Sequence, residues 1–251
     1  MAYLKCDFSS VALQMVTSFI ALLPEQEDLS QVPVIYLFHG LTDNCTGWTR
    51  YTAVERYARE LGAAVIMPEV QRSYYTDMAH GMKYFSYVHD ELPRLCRHMF
   101  GLSDRRELNY VMGLSMGGYG ALKCALTTPE RYAGCAAFSA VADFRARAEQ
   151  LEPWEREEFK AVLGMDLNVP DSGDLFALLK AAKVEELPRF FLTCGDQDGF
   201  FEADRRLAES MKDRGCDVTF EHWDDGHTWT FWDPSLKRAM EVLLPAPKKQ
   251  S

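Results

Sequence analysis

Short apolar runs alternate along the chain with stretches in which apolar residues recur every three or four positions. Such runs are typical of strands buried on both faces, and the recurring positions are typical of helices. The predicted strands are residues 32–38, 63–67, 108–112, 135–139, 189–194 and 218–223, and residues 11–20 are expected to be extended ahead of them. The repeated strand–helix order predicts an α/β fold with a mostly parallel central sheet and helices on both faces.

Helical patterns cover residues 48–61, 86–100, 202–214 and 229–244, and a further helix is expected after residue 117. Gly62 is expected to end the first of these helices, because glycine readily adopts the left-handed conformation found there. Pro93 is expected to kink the second helix or to mark its start, because proline has no backbone N–H.

The chain of 251 residues suits one large α/β domain. No internal repeat or low-complexity linker divides it, so residues 1–251 are predicted to form a single domain. Residues 140–187 break the strand–helix rhythm and are rich in Glu, Arg and Asp. We expect a small inserted cap at about 140–187, with ordinary surface helices as the alternative.

Charge and cysteine content narrow the classes of partner and compartment. The net charge of −10 argues against nucleic acid and anionic membranes, which both favour clustered Lys and Arg. No apolar run approaches the length of a membrane span, and the N-terminus lacks the pattern of a secretory signal. The seven cysteines, an odd number without Cys-x-x-Cys spacing, fit reduced thiols in a cytoplasmic protein.

Residues 113–117 read Gly-Leu-Ser-Met-Gly and lie where a predicted strand turns into a predicted helix. This context is typical of a nucleophile elbow, a strained turn that lifts a serine hydroxyl above a sheet. Ser115 is therefore the candidate nucleophile. The alternative is a glycine-rich turn without chemistry, which the continuation into a helix disfavours.

A serine hydroxyl needs a base to take its proton, and that base needs an acid to orient it. His227 follows the predicted strand 218–223, and catalytic groups gather beyond the carboxyl ends of strands in open α/β sheets. Asp196 and Asp198 both follow the strand 189–194, and spacing leaves the choice between them open. Two further acids, at positions 224 and 225, are expected to shape the turn before the histidine.

Backbone amides are expected to stabilise the negative oxygen of a tetrahedral intermediate. The N–H of Met116, the residue after the nucleophile, supplies one donor. Leu41 supplies the second, because Gly40 allows close backbone approach in the loop after the strand 32–38. His39 is expected to set this loop and not to act as a second base.

Gly40, Trp48 and Trp229 are predicted to contact the substrate. Trp229 has the best claim among the aromatic residues because it lies two positions after His227. Tyr74, Tyr75 and Trp232 are further candidates for the walls of a pocket, and core packing is the alternative for each aromatic residue.

The sequence resembles the esterase D group of the α/β-hydrolase superfamily. The segments that carry the resemblance are residues 38–44, 113–122, 194–198 and 225–229. The similarity is closest to the compact bacterial tributyrin esterases, which share residues like those at 73–77, 91–93 and 217–220. It implies the α/β-hydrolase fold, no metal and no organic cofactor. It also implies a triad of Ser115, Asp198 and His227 and so selects Asp198 over Asp196.

We therefore expect a serine carboxylesterase that hydrolyses short-chain acyl esters, with acetylated sugars and hydroxycinnamoyl esters among the candidates. The alternatives are an S-formylglutathione hydrolase-type thioesterase and an acyltransferase. A non-catalytic binding protein is disfavoured because all three triad positions are occupied. The expected partner is a small-molecule ester, with neither nucleic acid nor a membrane, and a homo-oligomer remains open.

Overall fold

The computed structural model describes residues 1–25 and 28–245. In these ranges, eight strands form one sheet in the order β1-β2-β4-β3-β5-β6-β7-β8. They are β1 (Ala2–Ser10), β2 (Met15–Leu23), β3 (Val34–Phe38), β4 (Ala64–Pro68), β5 (Asn109–Leu114), β6 (Gly134–Phe138), β7 (Arg189–Gly195) and β8 (Val218–Trp223). Strands β3 to β8 pair in parallel, and β1 and β2 are antiparallel to their neighbours. The predicted mostly parallel sheet is confirmed.

Helices connect the parallel strands. They are α1 (Gly47–Tyr51), α2 (Val54–Leu61), α3 (Tyr84–Ser86), α4 (Leu92–Phe100), α5 (Met116–Thr127), α6 (Phe144–Glu149), α7 (Arg156–Leu163), α8 (Leu175–Ala181), α9 (Phe201–Asp213) and α10 (Trp229–Leu243). A π-helical turn, Tyr87–Glu91, joins α3 to α4.

Alternation along the buried strands divides the core into two layers, one on each face of the sheet. In β3, Val34 and Tyr36 belong to the layer that packs against α5, whereas Ile35 and Leu37 belong to the layer that packs against α2 and α10. Successive side chains of a strand point to opposite faces, so both faces of the sheet must be covered. The prediction of helices on both faces is therefore confirmed.

The first strands form a hairpin that the sequence only partly predicted. Residues 11–20 were expected to be extended, but residues 11–14 form the turn between β1 and β2. The strand β1 carries a polar–apolar alternation, with Lys5 and Asp7 exposed and Cys6 partly buried. This period-two pattern is the signal that could have found it.

The predicted helix at 48–61 is two helices, α1 and α2. The Thr52 hydroxyl donates to the Trp48 carbonyl at 2.5 Å, and the Ala53 amide donates to the Asp233 carboxylate at 3.0 Å. Asp233 is remote in sequence, so local periodicity could not predict the break. Pro93 is the second residue of α4 and follows the π-helical turn, which agrees with its expected place at a helix start.

The segment 140–187 contains α6, α7 and α8 and packs beside α5. Phe144 of α6 stacks on Tyr74 at 5.0 Å between ring centroids, and Phe159 of α7 lies at 5.0 Å from the same ring. The Tyr119 hydroxyl of α5 donates to the Gly173 carbonyl at 2.7 Å. The Tyr119 hydrogen bond joins the segment to the helix that begins after the predicted nucleophile, and the ring contacts join it to the loop that carries Tyr74.

Candidate active site

Ser115 lies in the sharp turn between β5 and α5, with φ of 53° and ψ of −118°. Positive φ is uncommon for a residue with a side chain and indicates backbone strain. The turn fits because Gly117 approaches β3 closely: a Cβ there would lie 2.5 Å from the Phe38 carbonyl oxygen. A Cβ on Gly113 would lie 2.4 Å from the Gly117 carbonyl oxygen. Both flanking glycines are thus needed for the turn to form.

Ser115, His227 and Asp198 form one hydrogen-bonded row. The distance from Ser115 Oγ to His227 Nε2 is 3.0 Å, and that from His227 Nδ1 to Asp198 Oδ2 is 2.8 Å. Because an ionised carboxylate only accepts hydrogen bonds, Nδ1 carries the proton of the neutral ring. Nε2 is then free to accept the proton of the serine hydroxyl.

Asp198 is almost fully buried, yet it stays ionised. Burial would raise its pKa, but hydrogen bonds from His227, the Phe200 amide and the Ser139 hydroxyl outweigh burial. The pKa of Asp198 is therefore lower than its usual value. The Phe200 amide contributes through a hydrogen bond of 2.9 Å to Oδ1. The negative charge beside the imidazole is thus held in place at neutral pH.

The other aspartates near the histidine have different partners. Asp196 contacts His222 Nδ1 at 2.6 Å on the exposed surface. Asp224 accepts a hydrogen bond from Gln197 at 2.6 Å. Asp225 accepts hydrogen bonds from the Gly226 amide and the Thr228 hydroxyl, and so shapes the turn before His227. Of the two acids that spacing left open, the structure brings Asp198 to the imidazole.

The loop after β3 brings Gly40 and Leu41 beside the serine. A Cβ on Gly40 would lie 2.6 Å from Leu114 Cδ1 and 3.7 Å from Ser115 Cβ, so a larger residue there would push the Leu114 side chain aside beside the serine. No acceptor in the described residues takes the amide N–H of Leu41 or of Met116. Both N–H groups are therefore available to an oxygen bound next to Ser115.

His39 holds this loop from behind. The Val70 amide donates to His39 Nε2 at 3.1 Å, so Nδ1 carries the ring proton and donates to the Gly40 carbonyl at 2.7 Å. The ring is fully buried, and burial lowers the pKa of His39. A neutral imidazole with both nitrogens engaged fixes a loop and has no nitrogen left for proton transfer, as expected from the sequence.

A cavity of about 420 Å³ opens over Ser115. Gly40 and Trp229 line it, together with Tyr74 and Trp232. Trp48 does not: it is fully buried, its Nε1 donates to the Phe38 carbonyl at 3.1 Å, and its ring supports Trp229 edge to face at 5.2 Å. The prediction that Trp48 contacts substrate is therefore corrected to a packing role behind Trp229.

Tyr75 is also absent from the wall of the cavity. Its ring stacks on Phe38 at 4.5 Å, and its hydroxyl donates to the His39 carbonyl at 3.0 Å. The ring also packs directly on Gly120 of α5, where an added Cβ would lie 2.4 Å from Tyr75 Cγ. Tyr75 thus packs under the loop after β3, which is the core-packing alternative for this residue.

Two charged residues that line the cavity were not predicted from the sequence. Arg147 of α6 reaches the cavity from the segment 140–187, where it pairs with the buried Glu155 and lies 5.4 Å from the centroid of the Phe159 ring. Asp43 reaches it from the loop after β3, and burial raises the pKa of Asp43. No spacing rule points to either residue, because each depends on how distant segments pack.

A second buried carboxyl lies behind the triad acid. Asp204 of α9 accepts a hydrogen bond of 2.8 Å from the Ala140 amide, while its other oxygen has no hydrogen-bond partner in the described residues. Burial raises the pKa of Asp204 well above its usual value; the Ala140 hydrogen bond opposes this rise and the charge of Asp198 adds to it. The pKa of Asp204 is thus raised in a carboxyl that lies close to the ionised Asp198.

A larger cavity, of about 680 Å³, lies away from Ser115. Its charged side chains pair with one another, as Arg131 does with Asp90 at 3.0 Å and Arg97 with Asp104 at 2.5 Å. It contains none of the groups of the triad.

Among residues 1–25 and 28–245, no helix is both long and apolar enough to cross a membrane.

Comparison with known proteins gives a consistent set of relatives. The model of a family described as putative esterase matches residues 10–243. An acetyl esterase of Caldicellulosiruptor saccharolyticus is 28% identical, and the match covers 97% of this chain and 98% of that protein.

Two solved structures from Staphylococcus aureus are similar over nearly their whole length. The fluorophosphonate-binding serine hydrolase F, solved with substrate bound, has a TM-score of 0.90 at 29% identity, covering 97% of this chain and 98% of that one. An S-formylglutathione hydrolase apoenzyme has a TM-score of 0.87 at 30% identity, covering 97% and 99%. The similarity covers 97% of this chain, so it supports an α/β-hydrolase fold also for the residues between the short motifs of the sequence analysis.

Proposed function

Because the chain belongs to the putative esterase family and is a serine carboxylic ester hydrolase, we propose that it cleaves esters of short acyl chains through an acyl-enzyme intermediate. Ser115 is the nucleophile, His227 the general base, and Asp198 the acid that orients it. The observation that carries the proposal is the hydrogen-bonded row of these three side chains, in which Ser115 and His227 line a cavity of about 420 Å³ and Asp198 lies behind them.

Acylation begins when His227 Nε2 takes the proton of the Ser115 hydroxyl while Oγ bonds to the ester carbonyl carbon. The carbonyl electron pair moves onto its oxygen, which accepts hydrogen bonds from the Leu41 and Met116 amides. His227 then gives its proton to the alcohol oxygen as the carbon–oxygen bond breaks. One oxyanion donor is typically worth about 3 kcal/mol of transition-state stabilisation.

Deacylation repeats these steps with water in place of the serine. His227 takes a proton from water, whose oxygen attacks the acyl carbon, and the same amides stabilise the second oxyanion. His227 returns the proton to Ser115 Oγ as the acid leaves. Asp198 stays ionised throughout and stabilises the imidazolium that forms twice per turnover. Every step uses only side chains, backbone amides and water.

The size of the cavity favours short acyl chains. Its volume is at the low end of ligand pockets, which span roughly 300–1,000 Å³. The rings of Tyr74, Trp229 and Trp232 restrict it, and Trp229 is held by buried Trp48 and by Tyr51, whose ring stacks on it at 4.9 Å. Braced aromatic walls do not readily move aside for a long chain. The acetyl esterase similarity supports the same class of substrate.

A series of p-nitrophenyl esters tests this proposal. We expect kcat/KM for the acetate and butyrate to exceed that for the decanoate by at least about tenfold, since forcing extra methylenes against packed side chains typically costs about 1–3 kcal/mol. The control is Ser210→Ala, a serine outside the cavity, which should match the wild type, whereas Ser115→Ala should be inactive. A preference for the decanoate would contradict the acyl-chain proposal, and full activity of Ser115→Ala would contradict the mechanism.

Thioester hydrolysis of the S-formylglutathione type is the second candidate. It is favoured by the 30% identical structure and by Arg147, a cation in the lining of the cavity that suits a leaving group with carboxylates. The same triad serves both reactions, because the oxyanion is shared and only the leaving group differs. Comparison of kcat/KM for S-formylglutathione and p-nitrophenyl acetate separates the two, and a hundredfold advantage for the thioester would replace the ester proposal.

Three narrower proposals follow from the sequence. Membership of the tributyrin esterase group predicts release of butyrate from tributyrin, and acetylated sugars and hydroxycinnamoyl esters are further substrates to compare with it. Transfer to a sugar acceptor predicts that added alcohol diverts the acyl group from water.

A cytoplasmic location is supported by the seven cysteines, all unpaired in the structure.

A further inference from the structure

The strand β1 is an open edge of the sheet. Its nine residues pair with β2 on one side, and within the described residues no backbone group pairs with the other side. Unpaired N–H and C=O groups in a row are a template for another strand. Half of the Tyr3 side chain and 81% of Val11, in the adjoining turn, are exposed, so this edge also has apolar surface.

Charges on the exposed face of β1 are arranged for pairing with the same strand of a second copy. The Lys5 ammonium has no hydrogen-bond or ion-pair partner among the described residues. One oxygen of the Asp7 carboxylate accepts the Ser18 hydroxyl, and the other has no partner. Both side chains project on the same face, two positions apart, with Cys6 between them on the opposite face.

A twofold axis perpendicular to the sheet makes two such edges antiparallel and keeps their faces continuous. Opposed side chains must then lie on the same face, so odd-numbered residues stand opposite odd-numbered ones and even opposite even. The residue on the twofold axis therefore stands opposite the same residue of the second copy. If that residue is Cys6, Ala2 faces Ser10 and all nine residues are paired. The same register puts Lys5 opposite Asp7 of the second copy. A centre on Lys5 or on Asp7 would instead place like charges together, which is unfavourable for opposed residues.

The other edge of the sheet, β8, lacks this property. It has six residues, so no residue lies at its centre and no twofold register pairs its whole length. Two of its polar side chains are already engaged, since Glu221 pairs with Arg238 and His222 contacts Asp196. The two edges are thus unequal, and β1 is the one suited to self-association.

We propose that β1 is a dimerisation surface, on which a second copy of this chain adds its own β1 antiparallel in the register centred on Cys6. The Lys5 and Asp7 side chains then form two symmetric ion pairs across the axis. The half-buried Leu4 and Phe8 of opposite copies come together on the inner face and complete their burial.

Cysteine cross-linking tests the register. Opposed residues of antiparallel strands have Cα atoms about 4.5–5.5 Å apart, a separation that a disulfide spans. Diamide, which accepts two electrons and two protons from the two thiols, should therefore link wild-type chains into covalent dimers. Cys6→Ser should abolish the cross-link and still sediment as a dimer. The control Cys216→Ser, at the only other half-buried cysteine of the seven, should cross-link like the wild type.

Charge reversal tests the ion pairs. Lys5→Asp and Asp7→Lys each turn two attractions into two repulsions and should weaken dimerisation by at least about tenfold in sedimentation equilibrium. The double variant Lys5→Asp/Asp7→Lys should restore it. Esterase activity reports on folding and should be unchanged in all three. The proposal is overturned by a monomeric wild type, by a dimer that survives both single reversals, or by a dimer that does not cross-link through Cys6.

Discussion

Ser115 owes its position to neighbours that constrain its backbone and its side chain separately. The glycines at 113 and 117 permit the strained turn, and His227 holds the hydroxyl at 3.0 Å. Asp198 in turn holds the imidazole in the tautomer that leaves Nε2 free. His227 and Asp198 come from loops other than the turn that holds Ser115, so substitution of either residue should impair catalysis without unfolding the chain.

Asp198→Asn should lower kcat for p-nitrophenyl acetate by roughly 10³–10⁴-fold, as amide replacements of triad aspartates do through loss of the correct tautomer. The KM should change little, because Asp198 does not line the cavity. The matched control is Asp196→Asn, two positions away and paired with His222 on the surface. Equal losses in the two variants would show that Asp198 has no special role.

Residue chemistry was predictable from sequence where a motif carries it. Ser115 and His227 follow from a turn between strand and helix and from a loop beyond a strand. The choice of Asp198 over Asp196 required a family pattern, because both lie in one loop and differ only in the direction of the side chain. Arg147 and Asp204 had no signal, since their burial depends on packing between segments far apart in sequence.

At the scale of elements, the carboxyl ends of the parallel strands bring the site together. Loops after β3, β5, β7 and β8 supply the oxyanion loop, the nucleophile, the acid and the base, respectively. The carboxyl ends of parallel strands lie at the same edge of the sheet, so the parallel topology alone brings the side chains in these loops close together. The elbow is a tight junction, and it depends on the close approach of α5 to β3 at Gly117.

Gly117→Ala should therefore damage both stability and activity. The added Cβ would lie 2.5 Å from the Phe38 carbonyl oxygen, and backbone at such a contact must shift. We expect a loss of about 1–3 kcal/mol in the free energy of unfolding, typical of overpacking, and a kcat reduced by more than tenfold. Gly199→Ala is the control, because no atom lies within 4 Å of its Cβ position. Urea unfolding and ester hydrolysis measure the two effects, and an unaffected Gly117→Ala enzyme would refute this account of the elbow.

Element boundaries set by local pattern were predicted well, and those set by distant contacts were not. The strands β3 to β8 stand within a residue or two of their predicted ranges because their apolar runs are short and continuous. The break between α1 and α2 depends on Asp233, and no local window contains it. The β1 strand was missed although its alternation was visible.

At the scale of the whole molecule, Asp204 should affect how the free energy of unfolding depends on pH. Its raised pKa means that the folded state keeps a proton that the unfolded chain releases above pH of about 4. Folding must then take up a proton, so Asp204 lowers stability progressively as pH rises from about 4 toward its folded pKa. Asp198, with its lowered pKa, acts in the opposite sense, since its contribution is lost as pH falls through the folded value.

Asp204→Asn should remove this cost, because the amide oxygen can still accept from Ala140 and no proton is needed. The variant should gain stability over the wild type with rising pH between about 4 and 8, and the difference should be smallest at the acid end. Asp213→Asn, at the exposed end of the same helix, should show no such trend. Urea unfolding of the three proteins at several pH values measures it, and parallel curves for Asp204→Asn and wild type would contradict a raised pKa for the Asp204 carboxyl.

The most direct measurement of the central claim is the site of acylation during turnover. The enzyme is mixed with p-nitrophenyl butyrate, quenched in acid within milliseconds, digested and analysed by mass spectrometry. The account predicts one butyryl group on the peptide that contains Ser115, none on the same peptide of Ser115→Ala, and no turnover by that variant. A butyryl group on any other residue, or hydrolysis by Ser115→Ala at the wild-type rate, would contradict it.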